Sequence, residues 1–245
     1  MMAERLRRDD ADGLAALTIT RADKLNALDT LFFEELDAHL ARLASESEAI
    51  GCVLLRGEGR AFCAGADLGG FGTAPSDRRF KPQVIERLAR LPQPTVAAVH
   101  AVCFTGGLEL ALGCDFIVAD ASARFADTHG KWGFVGEWGM IQRLPRKVGQ
   151  PAAKRMMLTG CEVGAEEAAR LGLVDVLAGE EGLDAAADAF TRTILSQSWH
   201  TNLATKRLLL ETDGMTLGEA LSYESYRFPG FAPDHQERIA RFSRK

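Results

Sequence analysis

Four short apolar runs, each cut off by turn-forming residues, restrict the folds open to this chain more than any other feature. They are LAALTIT at 14–20, CVLLR at 52–56, TVAAVHAV at 95–102 and FIVAD at 116–120. Runs of this length, rich in branched residues and bounded by polar or glycine-containing stretches, read as buried strands. Between the first two lies DTLFFEELDAHLARLAS, in which Phe33, Leu36, Leu40 and Leu43 fall on one helical face. Asp29 or Thr30 can cap that helix, with Glu34 and Glu35 early in it. A second helix is expected from about Pro82 to Leu91, stopped by the prolines of PQPT before the third strand. Strands alternating with helices predict an α/β core. From about Gly139 onward the pattern becomes mostly helical. The expected organisation is a core over 1–190 and a helical assembly region over 191–245. The stretch GGFGTAPSDRRF at 69–80 reads as a mobile surface loop.

The 245 residues are 47% hydrophobic, enough for one sizeable core. A net charge of -5 made of interspersed signs offers no basic stripe for phosphates, which excludes nucleic acid as the primary partner. Five cysteines sit apart in apolar surroundings without a C-x-x-C pair, as free thiols in a reducing compartment would. No run approaches the roughly 20 apolar residues of a membrane span, and MMAERLRRDDADG lacks a hydrophobic signal core. A cytoplasmic protein with no membrane partner is expected. Nucleophile-elbow, P-loop, zinc-protease and dinucleotide motifs are absent, so neither a metal nor nicotinamide is implied. Cys63 and Cys103 have no histidine placed to activate them and read as structural thiols.

The chemistry concentrates in two glycine-containing segments, AFCAGADL at 61–68 and FTGGLELALGCD at 104–115, each after a predicted strand. Loops entering helices expose unpaired N–H groups, and glycine lets the backbone approach a ligand closely. Two such amides can stabilise one developing oxyanion. Gly106 precedes Glu109 by one helical turn, so its amide and that carboxylate can reach one cavity. Glu109 alone could be a solvated first-turn acid, but Leu108, Leu110, Ala111 and Leu112 surround it, and a buried acid calls for a reason.

These two segments, in this order, resemble the paired oxyanion loops of the enoyl-CoA hydratase/isomerase (crotonase-like) family. RADKLNAL at 21–28 resembles the family's acyl-CoA contact region, RLPRKVG at 143–149 its post-active-site helix, and LTGCEVGAEEAARLGLVDVL at 158–177 a later helix and strand. The resemblance covers roughly residues 14–245. It implies a crotonase-like α/β spiral of strand–helix units with a helical C-terminal region, assembling as a trimer or a dimer of trimers. It places the oxyanion amides at Ala66 and Gly106 and the first catalytic carboxylate at Glu109. CoA, part of the substrate and the only cofactor-like group implied, would lie along Lys24, Leu25, Ala64, Asp67 and Leu68, with Phe242 and Lys245 reaching a nucleotide. Trp132 and Trp138 would line the acyl pocket.

The chain departs from the family at several points. The hydratases carry a second glutamate 20 residues after the first; here that position is His129. Glu137 stands where some isomerases of the family have an acid. His100–Ala101 replaces Asn-Gly, and Thr105 replaces the first glycine of a triplet. His129 reads either as a hydrogen-bonded pocket residue or as a proton-transfer group, Glu137 as a solvated loop acid or a catalyst, and Asp67 as a CoA contact, a helix cap or a loop brace. The leading expectation is hydration of a 2-enoyl-CoA by Glu109 with His129 or Glu137. Double-bond isomerisation through Glu109 and Glu137, and a non-catalytic acyl-CoA-binding scaffold, are the alternatives.

Overall fold

A computed structural model describes residues 4–70 and 78–242. β1 (Leu6–Ala11) and β2 (Leu14–Ile19) form an antiparallel hairpin in which Leu6 pairs with Ile19. β3 (Cys52–Gly57), β4 (Thr95–Val99), β6 (Phe116–Ala119) and β9 (Val176–Leu177) extend it as parallel neighbours in the order β1-β2-β3-β4-β6-β9. Parallel neighbours need crossovers. α1 (Thr30–Leu43) and α2 (Phe80–Ala89) supply the first two, and α1 starts where Asp29 accepts a bond from the Phe32 amide at 2.9 Å.

The predicted strand over 95–102 is in fact two. The chain bends at Ala101, whose φ is 47°, and β5 (Val102–Phe104) enters a second sheet with β7 (Arg124–Ala126) and β8 (Val163–Gly164). Successive turns of the chain thus give strands to two sheets, the α/β spiral. α3 (Gly106–Ala111) begins where β5 leaves the second sheet, and α4 (His129–Trp132) follows β7. The segments that carry Glu109 and His129 therefore leave the same small sheet.

Phe32, Phe33, Leu36 and Leu40 of α1 and Val84, Ile85 and Leu88 of α2 fill one face of the main sheet. Each fully buried side chain of this size contributes about 2 kcal/mol. On the opposite face Cys52, Leu54, Val96, Ala98 and Val118 are covered by Ala186 and Ala187 of α8 (Gly182–Ser196). Before α8 come α5 (Met140–Val148), α6 (Gln150–Thr159) and α7 (Ala165–Arg170); after it come α9 (Trp199–Thr212), α10 (Leu217–Tyr226) and α11 (His235–Phe242).

The expected division after residue 190 falls inside α8. α9 is also tied to the core, because the buried Lys206 donates to Asp115 at 2.6 Å and to the Gln93 carbonyl at 2.9 Å. Beyond α9, neither α10 nor α11 has a buried residue. No helix among the described residues is long and apolar enough to cross a membrane.

Candidate active site

The loop at 61–68 takes its shape from the segment at 21–28. Leu25 and Asn26 both have positive φ, 51° and 56°, and the buried Asn26 amide donates to the carbonyls of Ala61 at 2.7 Å and Glu58 at 2.9 Å. Backbone bonds then stitch the two segments together: Ala64 N to Leu25 O at 2.9 Å, Leu28 N to Gly65 O at 2.8 Å, and Asp67 N to Leu28 O at 3.0 Å. Because Gly65 and Asp67 bond to Leu28, the N–H of Ala66 between them is turned away from it. Gly65 has φ 110°, and a methyl group there would lie 2.5 Å from Thr105 Oγ1, so only glycine fits.

The second segment is held as firmly. Thr105 sits at φ 44° and ψ -114°, an unusual backbone for a β-branched residue, anchored by its N–H to Ala126 O at 2.8 Å. Its carbonyl accepts the first helical bond, from Glu109 N at 2.9 Å, which leaves the Gly106 amide among the unpaired donors of the first turn. Neither Ala66 N nor Gly106 N meets an acceptor among the described residues. The two border one small space: a methyl added at Gly106 would lie 3.2 Å from Ala66 N, and one added at Gly65 would lie 3.4 Å from Gly106 N.

Both amides open on a cavity of about 490 Å³ also lined by Glu109, His129, Glu137, Trp132 and Trp138. Glu109 is only 1% exposed. Its Oε1 accepts from Trp138 N at 2.8 Å and Met140 N at 3.1 Å, and its Oε2 lies 3.7 Å from His129 Nε2. Burial raises the Glu109 carboxyl above its usual range, against the backbone bonds and the neighbouring imidazole that favour the charge. On its other side His129 donates Nδ1–H to Asp127 Oδ1 at 2.6 Å. Burial alone would lower His129, but the Asp127 bond and the charges of Glu109, Asp127 and Glu137 outweigh it and hold the imidazole above its usual value. Such an arrangement can hold an oxygen carrying negative charge beside a carboxylate and an imidazole that exchange protons.

The remaining expected residues divide. Ala64 and Leu68 line the cavity, and Glu137 stands at its rim, half-exposed and ion-paired to Arg78 at 2.7 Å. Lys24 is exposed on the turn before Leu25, whose carbonyl receives the Ala64 amide. Asp67 is outside the cavity lining; its carboxylate accepts from Gly69 N at 2.9 Å and pairs with Arg21 at 2.7 Å. Those contacts make the loop brace, and they hold its carboxyl below the usual range, the Gly69 bond first and Arg21 second. Phe242 is exposed on α11, away from these groups in the chain; Lys245 and residues 71–77 of the expected surface loop lie outside the described residues. Sequence reasoning missed Asp127 and Asn26. An acid two residues before His129 was the available signal for the first; the second lay inside RADKLNAL without periodicity to mark it.

The sequence profile described as enoyl-CoA hydratase/isomerase matches residues 9–243. A 1,2-epoxyphenylacetyl-CoA isomerase of Escherichia coli K12 is 32% identical over 95% of this chain and 93% of its own length. A probable peroxisomal enoyl-CoA hydratase 1 of Arabidopsis thaliana is 31% identical over 90% of this chain and 83% of its own. The crystal structure of a putative enoyl-CoA hydratase from Streptomyces coelicolor A3(2) superposes with a TM-score of 0.91 at 34% identity, covering 98% of this chain and 91% of the other. With profile, relatives and architecture in agreement over nearly its whole length, this chain belongs to the enoyl-CoA hydratase/isomerase family.

Proposed function

We propose that this chain hydrates a 2-enoyl-CoA thioester to a 3-hydroxyacyl-CoA. The observation that carries the reading is the pair of unpartnered amides, Ala66 N and Gly106 N, beside the buried Glu109 in one cavity. A thioester oxygen between them gains stabilisation as negative charge develops on it, worth about 3 to 4 kcal/mol of barrier per donor. Glu109, its basicity increased by burial, takes a proton from water while the oxygen of that water bonds to the β carbon. The enolate rests on the two amides, and the His129 imidazolium gives its Nε2 proton to the α carbon. Passing the proton from Glu109 back across the gap to His129 restores both groups. The proposed chemistry uses no group beyond CoA, which belongs to the substrate and runs past Ala64 and Leu68 toward Lys24 and Leu25.

Isomerisation is the second reading, favoured by the position of Glu137 in the cavity lining and by the name of the Escherichia coli relative. The ion pair of Glu137 with Arg78 makes His129 the better partner for Glu109. Purified protein is expected to consume the conjugated double bond of crotonyl-CoA. Appearance of conjugation from a 3-enoyl-CoA, with crotonyl-CoA untouched, would make it an isomerase; binding without turnover of either would make it a scaffold.

The same proposal includes assembly as a trimer or a dimer of trimers in the cytoplasm, where the five free cysteines fit a reducing environment. Leu217, Leu221, Phe228, Phe231 and Ile239 are more than half exposed, an apolar surface of the kind that marks subunit contacts. Sedimentation is expected to give three or six copies, and Leu221→Glu with Phe231→Glu to lower that number. A monomeric wild type would end this part of the reading.

A further inference from the structure

We propose that Asp127 is a positioning residue for this reaction: its carboxylate fixes His129 as the Nδ1–H tautomer, so that Nε2 faces Glu109 and the substrate. The proposal rests on the hydratase reading for its kinetic consequence, and on geometry alone for its structural one.

Asp127 follows β7 and is 5% exposed. A single oxygen, Oδ1, accepts two bonds from His129, from the backbone N–H at 3.0 Å and from Nδ1 at 2.6 Å. The backbone bond sets the carboxylate, and the carboxylate sets the ring. An ionised carboxylate accepts only, so Nδ1 must carry the proton and Nε2 is the nitrogen left for chemistry. Among the described residues no lysine or arginine is paired with Asp127. A buried carboxylate without a cation is costly, and the imidazolium meets that need. On the far side, Nε2 and Glu109 Oε2 stand 3.7 Å apart, beyond hydrogen-bond reach and within the span one water bridges.

The charges around His129 point the same way. Glu109 faces it from α3 and Glu137 from the segment before α5, while Lys131 on its own turn and Arg78, paired to Glu137, share the cavity wall. α6 packs against α4, and its Lys154 and Arg155 are outside that wall, Arg155 being paired to Glu167. Asp127 is the group of this set that bonds the ring directly. As the acid, His129 works while protonated, so activity declines as pH rises through its pKa. Removing the Asp127 charge lowers that pKa and moves the alkaline limb to lower pH. A carboxylate that served only to brace the turn into α4 would leave the limb in place.

The test compares wild type with Asp127→Asn, which preserves shape and an accepting oxygen. Nitrogen-15 spectra of the five histidines, with His129 assigned through His129→Gln, are expected to report a single Nδ1–H form that titrates late in wild type. In this variant an earlier titration is expected, and in Asp127→Ala, which also removes the accepting oxygen, a mixture of tautomers as well. With crotonyl-CoA, kcat is expected to fall about tenfold or more while KM stays within about twofold, and the alkaline limb to move to lower pH. An unmoved His129 titration and tautomer in a folded variant would overturn the proposal, whatever happens to kcat. A wild type inert toward crotonyl-CoA would sink the hydratase reading and leave the spectra to decide the role of Asp127. Melting temperatures of wild type and variants separate these outcomes from misfolding.

Discussion

Replacing Glu109 by Gln is expected to lower kcat on crotonyl-CoA by about a thousandfold or more, the upper part of the range for general acid–base groups. Gln keeps the volume of the side chain, and its carbonyl oxygen can still accept from Trp138 N and Met140 N, so the cavity retains its walls. What it loses is the ability to take the proton of water. Because the amides of Ala66 and Gly106 remain, binding of the thioester should change little, and the loss should fall on kcat and kcat/KM equally. Stability should hold or rise, since a buried ionisable group is exchanged for a neutral one that keeps its bonds. Steady-state kinetics with a parallel melting curve check both halves. A rate within about tenfold of wild type would remove Glu109 from the acid–base role.

The pH dependence of the wild type follows from the same pair. Glu109 must be ionised to act as the base, and burial raises its pKa, so activity is lost at a higher pH than for a free glutamate as the solution is acidified. His129 must be protonated to act as the acid, and its raised pKa carries the alkaline limb above that of a free histidine. Both limbs of the kcat/KM profile therefore lie to the alkaline side of the positions that unperturbed side chains would give.

Elements with strong apolar periodicity were legible in the sequence, and those held by tertiary pairing were not. α1 begins after Asp29, one of the two cap candidates read at 29 and 30, because cap chemistry is local. β1 went unread because LRRDDA is an exposed edge strand whose side chains form Arg7–Asp9 and Arg8–Asp10 pairs instead of an apolar face. β8 has only two residues, and its pairing with β7 decides its conformation. The run at 95–102 was continuous in hydrophobicity, so nothing in its composition announced that Ala101 would turn it from one sheet to the other. That turn matters most for function, since it carries Gly106 and Glu109 toward the loop of Ala66.

The site divides along the same line. Glu109 stood out as an acid among leucines, and burial is a property that patterning reveals. Partners depend on distance, which patterning does not reveal. Glu137 was visible as an acid at a suggestive position, but its pairing with Arg78 joins residues 59 apart in the chain. Asp67 was open to reading as a CoA contact, a cap or a brace, and the bonds of its carboxylate to Arg21 and Gly69 are set by distances that patterning does not carry. Asp127 acquires meaning only through the ring it orients.

Gly106→Ala is the sharpest test of the paired amides, because the methyl group would enter the space they border. Built on the existing backbone, it would lie 3.2 Å from Ala66 N, close to where a substrate oxygen would sit, and 2.5 Å from Trp138 Cζ3. Trp138 has little freedom to retreat. Its ring meets Phe33 edge-on at 4.9 Å, and its backbone N–H donates to Glu109 Oε1 at 2.8 Å, so any shift of the main chain that lets the indole retreat also disturbs the carboxylate. Blocking one donor costs about a hundred- to a thousandfold in kcat, and displacement of Glu109 adds to that loss. The expected result is a fall of at least about a thousandfold, with overpacking lowering stability by about 1 to 3 kcal/mol. Denaturant melts and binding of a saturated acyl-CoA separate the two effects: a folded variant that still binds the ester but does not turn it over is the outcome expected. Near-normal turnover would mean that the carbonyl oxygen rests elsewhere in the cavity, and the roles given to both amides would go with it.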